Sequence, residues 1–250
     1  MRLGAVLAAA ALVAGSAAGA ATLGAVTLNV QQFADRSQLD AAQQAMSDYL
    51  AGRSVKAVET FNGFDAWNGT DGTANPTTSV GRFEGFGSRG TGGAAVSDGR
   101  SAEVRGDEMC CGRYNTDMFG DNWLDSNDMT GLRWTVEGLG MFDTVAFLLT
   151  DVADVGARFS MSLGGETFAD LAGLGGRLAN GNLMLVMIEL SDAVESLTVE
   201  MFNNRTNDGF GIDGATVASG LAPIPLPPAA ALLFAGLAAL VGVRRRRAAA

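Results

Sequence analysis

The chain has 250 residues, 48% of them hydrophobic, with 17 Lys+Arg against 27 Asp+Glu, a formal net charge of −10 and no histidine. The missing imidazole excludes the Ser-His-Asp triad, His-based general acid–base catalysis and most catalytic zinc sites. The acidic balance repels phosphate backbones and so argues against nucleic acid as a partner, whereas carboxylate-only chemistry such as glycoside hydrolysis survives.

Residues 1–20 read as a signal peptide. Met1-Arg2 supplies a positive charge, Leu3 to Val13 is an apolar core, and Ala18-Gly19-Ala20 offers a small-x-small cleavage site. Residues 21–222 are then one domain, long enough for a core of useful size. Setting aside Arg2 and Arg244 to Arg247 leaves 12 basic against 27 acidic residues, so this span carries −15. That charge suits divalent cations or a saline environment.

Gly24 to Val30 predicts a short strand. Ser37-x-x-Asp40 resembles a capping box, and Leu39, Ala42, Met46, Tyr49 and Leu50 share one face of a packing helix that ends at Gly52. Val55 to Phe61, Arg82 to Phe86 and Ala102 to Arg105 predict strands, and Cys110 to Asp128 reads as polar and irregular. Gly131 to Glu137 and 159–163 follow as strands. Thr144 to Thr150 is nearly continuous apolar sequence, as in a strand buried on both faces. Leu183 to Leu190, Leu197 to Met201 and Phe210 to Val217 complete the set, with Ala218 to Ala222 as a linker. Short strands, glycine-rich turns and a single helix predict a mainly β fold, an antiparallel β-sandwich of jelly-roll-like form.

Cys110 and Cys111 are adjacent. In an oxidising compartment they fit a vicinal disulfide, two free thiols or a pair of intermolecular bonds. Asp121 to Asp128 and Asp65 to Asp71 are acidic loops that miss the EF-hand pattern; each reads as an irregular calcium loop or as solvated polarity. Glu103 with Glu108 and Glu195 with Glu200 form no hydrolase motif. Trp67, Trp123 and Trp134 are candidates for stacking on sugar rings or for anchoring the core.

The closing run Asn203-Asn-Arg-Thr-Asn-Asp208-Gly-Phe-Gly-Ile-Asp213-Gly resembles the last strand of jelly-roll carbohydrate-binding and adhesion-type sandwiches. That resemblance implies a structural calcium between early and late strands, with Glu59 and Asp213 as matching carboxylates and Asp208 and Asn207 adding oxygens. The alternative is an Asx-type turn feeding an edge strand.

Residues 223–250 are a separate unit. Ile224-Pro225-Leu226-Pro227-Pro228 precedes an apolar run from Ala229 to Val243 and the cluster Arg244, Arg245, Arg246 and Arg247. The arginines mark the cytoplasmic side, and the apolar run predicts a transmembrane helix shorter than a comfortable span. This order resembles the PEP-CTERM class of bacterial sorting signals, in the variant called VPLPA-CTERM, with Ile for Val and Pro for the final Ala. The resemblance implies recognition by an exosortase-type membrane protease, passage through the inner membrane and delivery to the cell surface or extracellular matrix. The expected function is a non-catalytic module associated with polysaccharide or cations. The alternatives are an extracellular glycan hydrolase using paired carboxylates and a protein-binding adhesion module.

Overall fold

The computed structural model describes residues 25–68, 70–89, 94–95, 102–106, 112–116, 120–154, 159–164, 166–170, 177–203, 205 and 208–221. The expected signal peptide, Cys110 and Cys111, Glu108, Asn207, the motif Ile224 to Pro228, the apolar run and Arg244 to Arg247 lie outside them.

The strands are β1 (Val26–Phe33), β2 (Arg53–Glu59), β3 (Thr77–Thr78), β4 (Gly81–Arg89), β5 (Ala94–Ala95), β6 (Glu103–Gly106) and β7 (Asn122–Asp125). They continue as β8 (Met129–Val136), β9 (Phe142–Thr150), β10 (Phe159–Leu163), β11 (Glu166–Asp170), β12 (Leu183–Val194), β13 (Leu197–Asn203) and β14 (Gly211–Leu221). One sheet runs β1-β12-β9-β14-β7-β6, with β2 also paired to β14; the other runs β11-β10-β13-β8-β4-β3, with β5 on β4. The ladders are antiparallel. The fold is the expected β-sandwich. From β7 to β10 and again from β11 to β14, consecutive strands cross from one sheet to the other, so most neighbours in a sheet are distant in sequence.

Period-two patterning builds the core. Val145, Phe147 and Leu149 of β9 and Val186 and Ile188 of β12 face Phe83, Leu132, Trp134, Val199 and Met201 of the opposite sheet. Trp134 stacks on Phe83 at 5.1 Å between centroids and meets Phe147 edge-on at 5.7 Å. Its indole N–H donates to the Val80 carbonyl at 3.0 Å, so a buried polar atom is satisfied. On the other face of the first sheet, Ala146, Leu148, Leu183 and Leu185 lie under Ala42 and Met46 of helix α1 (Leu39–Leu50). This double cover explains why β9 is apolar on both faces.

Three local expectations change. The carboxylate of Asp35, not a Ser37–Asp40 box, opens the helical region: it accepts from Ser37 N at 2.8 Å and caps a 3-10 turn over Arg36–Gln38, which α1 then continues. The region 110–128 is not wholly irregular, because it contains β7 and buries Trp123 and Asp125 completely. Residues 218–221 are not linker but the end of β14. Gly52 follows the helix as expected, with φ 80°, a left-handed conformation that glycine adopts at little cost.

Candidate functional site

One end of the sandwich gathers charge. β6 and β7 pair Glu103 with Asp125 and Arg105 with Trp123. Segment 112–116 passes across this end, and Arg113 Nη1 donates to Asp125 Oδ1 at 2.8 Å and to Asp128 Oδ1 at 3.1 Å. Arg105 pairs with Glu103 at 2.7 Å and reaches Asp125 Oδ2 at 3.4 Å. Burial works against the Arg113 charge, yet Asp125 and Asp128 together hold its pKa above the ordinary value. Two arginines therefore serve a group of carboxylates that would otherwise be stranded away from water.

Asp151 belongs to the same end. It stands just past β9, 2% exposed, and its Oδ1 accepts from Gly181 N at 2.7 Å. Burial pushes its pKa up to about 6; the Gly181 amide opposes the rise, Asp154 adds to it, Arg113 opposes it, and Asp125 adds to it. The backbone is bent tightly here. Asn127, Asp128, Asp151 and Ala153 have φ of 54°, 58°, 59° and 57°. Asn and Asp tolerate this region, whereas Ala153 has no side-chain compensation. Gly112 and Gly209 leave room for the charged groups: a Cβ on Gly112 would strike Asp151, and one on Gly209 would strike Arg113. The assembled cluster is an internal electrostatic tie between loops. Arg113 is turned on Asp125 and Asp128, and Arg105 on Glu103 and Asp125.

A more open feature lies beyond β6. Residues 65–75 run beside that strand, with Trp67 N donating to Val104 O at 2.8 Å and Val104 N to Thr73 O at 2.9 Å. Asn68 Oδ1 accepts from Thr70 N at 3.0 Å and Asp71 N at 2.9 Å, closing an Asx-type turn. Asp65, Ala66, Asn68, Asp71, Gly72 and Thr73 line a polar groove of about 340 Å³. Trp67, between Ala66 and Asn68 in the chain, is half-buried.

The carboxylates expected to hold calcium occupy separate surroundings. Glu59 Oε1 accepts from Phe61 N at 2.8 Å, and Oε2 from Ser79 N at 3.2 Å and Ser79 Oγ at 3.1 Å. Asp213 sits at a break in the β9–β14 register and is turned toward segment 112–116. Its Oδ2 accepts from Thr116 N at 2.7 Å and Thr116 Oγ1 at 3.1 Å, and its Oδ1 from Gly214 N at 2.7 Å. Asp208 is buried, and its carbonyl accepts from Asn203 Nδ2. β2 does pair with β14, as the expected early-to-late strand contact requires. Among the described residues, no group of three or more His, Cys, Asp or Glu side chains converges as a metal site.

Of the three tryptophans, Trp123 and Trp134 are fully buried in the core and offer no ring face to a sugar. Arg113, Asp125 and Asp151 escaped sequence reasoning as a set. They lie 12 and 26 residues apart in the chain, with no local periodicity to link them. A faint signal was available in the arginine at position 113 of a strongly acidic chain, which implied a carboxylate partner.

No protein-family profile matches the chain, and no curated protein matches it. Among solved structures it is similar to a cleaved adhesin domain of Lys-gingipain from Porphyromonas gingivalis. The match has 13% identity, covers 67% of this chain and 99% of that one, and has a TM-score of 0.27. A likeness so distant carries no functional argument.

Proposed function

We propose that this chain is an exported bacterial cell-surface or extracellular-matrix protein, a non-catalytic module that associates with extracellular polysaccharide or cations. In this reading an exosortase-type protease acts on Ile224 to Pro228 while the apolar run rests in the inner membrane, and the domain passes to the surface. The tail supports the address. The observation that supports the activity is the solvent-open groove lined by Asp65, Asn68, Asp71 and Thr73. Carboxylate, amide and hydroxyl groups match the hydrogen-bonding pattern of sugar hydroxyls.

A glycosidase needs one carboxyl held protonated opposite a second, with the sugar between them. Asp151 is a carboxyl that burial holds up. It is enclosed by the 181 turn and Arg113 and is not in the groove, which supports binding over hydrolysis. A glycan array read beside a reducing-sugar assay tests this. Retention without sugar release is expected, and Asp71→Ala, at a residue that lines the groove, should weaken retention about fivefold, as for the loss of ~1 kcal/mol. Release of reducing ends would make the chain a hydrolase, and no retention on any glycan would remove polysaccharide as the ligand. Intact-mass measurement of the surface form from its native host tests the address: retention of Arg244 to Arg247 on all molecules would reject processing.

A further inference from the structure

The edges of the two sheets are unequal. β3 and β5 are two residues each, β6 is four and β11 is five. β2 carries Arg53, Lys56 and Glu59. Short or charged strands of this kind resist pairing with another chain. β1, Val-Thr-Leu-Asn-Val-Gln-Gln-Phe, is eight residues long with no charge and no proline, and it ends its sheet, with β12 its only partner strand among the described residues. Leu28 and Val30 pack on the core but remain only half-buried, as apolar side chains do where a sheet stops one strand early.

The hydrogen-bond phase of β1 shows which groups face outward. Val26 lies opposite Leu190, so Ala25 lies opposite Ser191, and Ser191 N donates to Ala25 O at 2.9 Å. Alternation along an antiparallel ladder then turns Thr27, Asn29, Gln31 and Phe33 toward β12. The N–H and C=O groups of Val26, Leu28, Val30 and Gln32 point away from the sheet.

We propose that β1 is the interface through which two copies of this chain join, edge to edge and antiparallel, into one continuous sheet. A two-fold axis perpendicular to the sheet keeps core faces aligned, so opposed residues must share parity. Centring the axis on Asn29 sets Val26 against Gln32 and Leu28 against Val30, which pairs all four outward residues of each copy. It sets Thr27 against Gln31 and Asn29 against itself. Leu28 and Val30 of each copy then cover those of the other. The chain carries a net charge of −10, which opposes self-association through an acidic face. β1 brings no like charges together, which favours a second copy over a charged partner.

The test uses the full-length chain in mild detergent, with mass measured by light scattering and sedimentation. A dimer is expected, and Asn29→Lys should weaken dimerisation at least about tenfold by opposing two ammonium groups at the axis. Asn29 is exposed, so an unchanged circular dichroism spectrum and melting midpoint would show that the variant folds. Cysteine scanning in a Cys110→Ser, Cys111→Ser background reads the register. Asn29→Cys should cross-link rapidly on oxidation. Thr27→Cys should not, because the two sulfurs would lie about 13 Å apart along the strands, beyond disulfide reach. Gln44→Cys, exposed on α1, measures random collision. A monomer at all concentrations, a dimer indifferent to Asn29→Lys, or cross-linking of Asn29→Cys no faster than of the two controls would each overturn the proposal.

Discussion

Replacing Asp151 by Asn should alter the pH dependence of stability in one direction only. The carboxyl is 2% exposed, and its pKa stands at about 6 against an ordinary 3.8. Because the folded value is raised, the folded state binds this proton more tightly than the unfolded chain does. The stability that this proton contributes is fully present below about pH 4 and is lost as pH rises through about 6. At ~1.4 kcal/mol per pH unit the rise is worth about 3 kcal/mol. Asparagine is neutral throughout, tolerates the φ of 59° at this position, and keeps an oxygen for the Gly181 amide. It also removes a charge that faces Asp125 and Asp154 unfavourably and Arg113 favourably. Urea unfolding of the full-length chain at pH 4, 5, 6 and 7, followed by the fluorescence of buried Trp123 and Trp134, gives the comparison. The two proteins should agree at pH 4, and the variant should exceed wild type by up to about 3 kcal/mol at pH 7. A constant difference across that range, or a wild type that gains on the variant as pH rises, would refute the reasoning.

Arg113→Ala leaves the fully buried Asp125 with only Arg105 and the Asn127 amide and should cost at most about 3–5 kcal/mol, measured by the same unfolding assay. Arg113→Lys should recover only part of the loss: one ammonium can take the place of Nη1, which serves both Asp125 and Asp128, but an ammonium is more strongly hydrated than a guanidinium and costs more to bury. Trp134→Ala removes the ring between Phe83 and Phe147 and should cost about 3–5 kcal/mol in the same assay, through lost burial and a cavity. If calcium is the cation of the proposed function, chelator at matched ionic strength should lower the melting midpoint. The native-state gain at a hundredfold excess over Kd is about 2.7 kcal/mol, and an unchanged midpoint would remove the cation from the reading.

The sequence by itself determined the elements that a single period describes. The body of helix α1 over Leu39–Leu50 was legible, because its apolar positions repeat at 3.6 and Gly52 stops it, although its start was not, since Asp35 caps a preceding 3-10 turn. β9 and β13 were legible from uninterrupted or alternating apolar character, which a strand in a sandwich core cannot avoid. The polar groove was visible as an ambiguous loop from Asp65 to Asp71, since Asx turns are local. Tertiary structure alone decided most of the strand order: hairpins join β3 to β4 and β10 to β11, but crossovers between sheets place sequence-distant strands such as β1 and β12 or β9 and β14 side by side with no turn to mark the pairing. It also decided what Asp125 does. In the chain this residue sits in an acidic stretch that reads as solvated, and only the approach of Arg113 and Arg105 makes its complete burial tolerable. Glu59 and Asp213 make the same point. Their residue types suited a shared cation, whereas the fold hands each carboxylate its own set of donors, Phe61 and Ser79 for one and Thr116 and Gly214 for the other. Local patterning is written in neighbouring residues, but the partner of a buried charge is set by which loops meet in space.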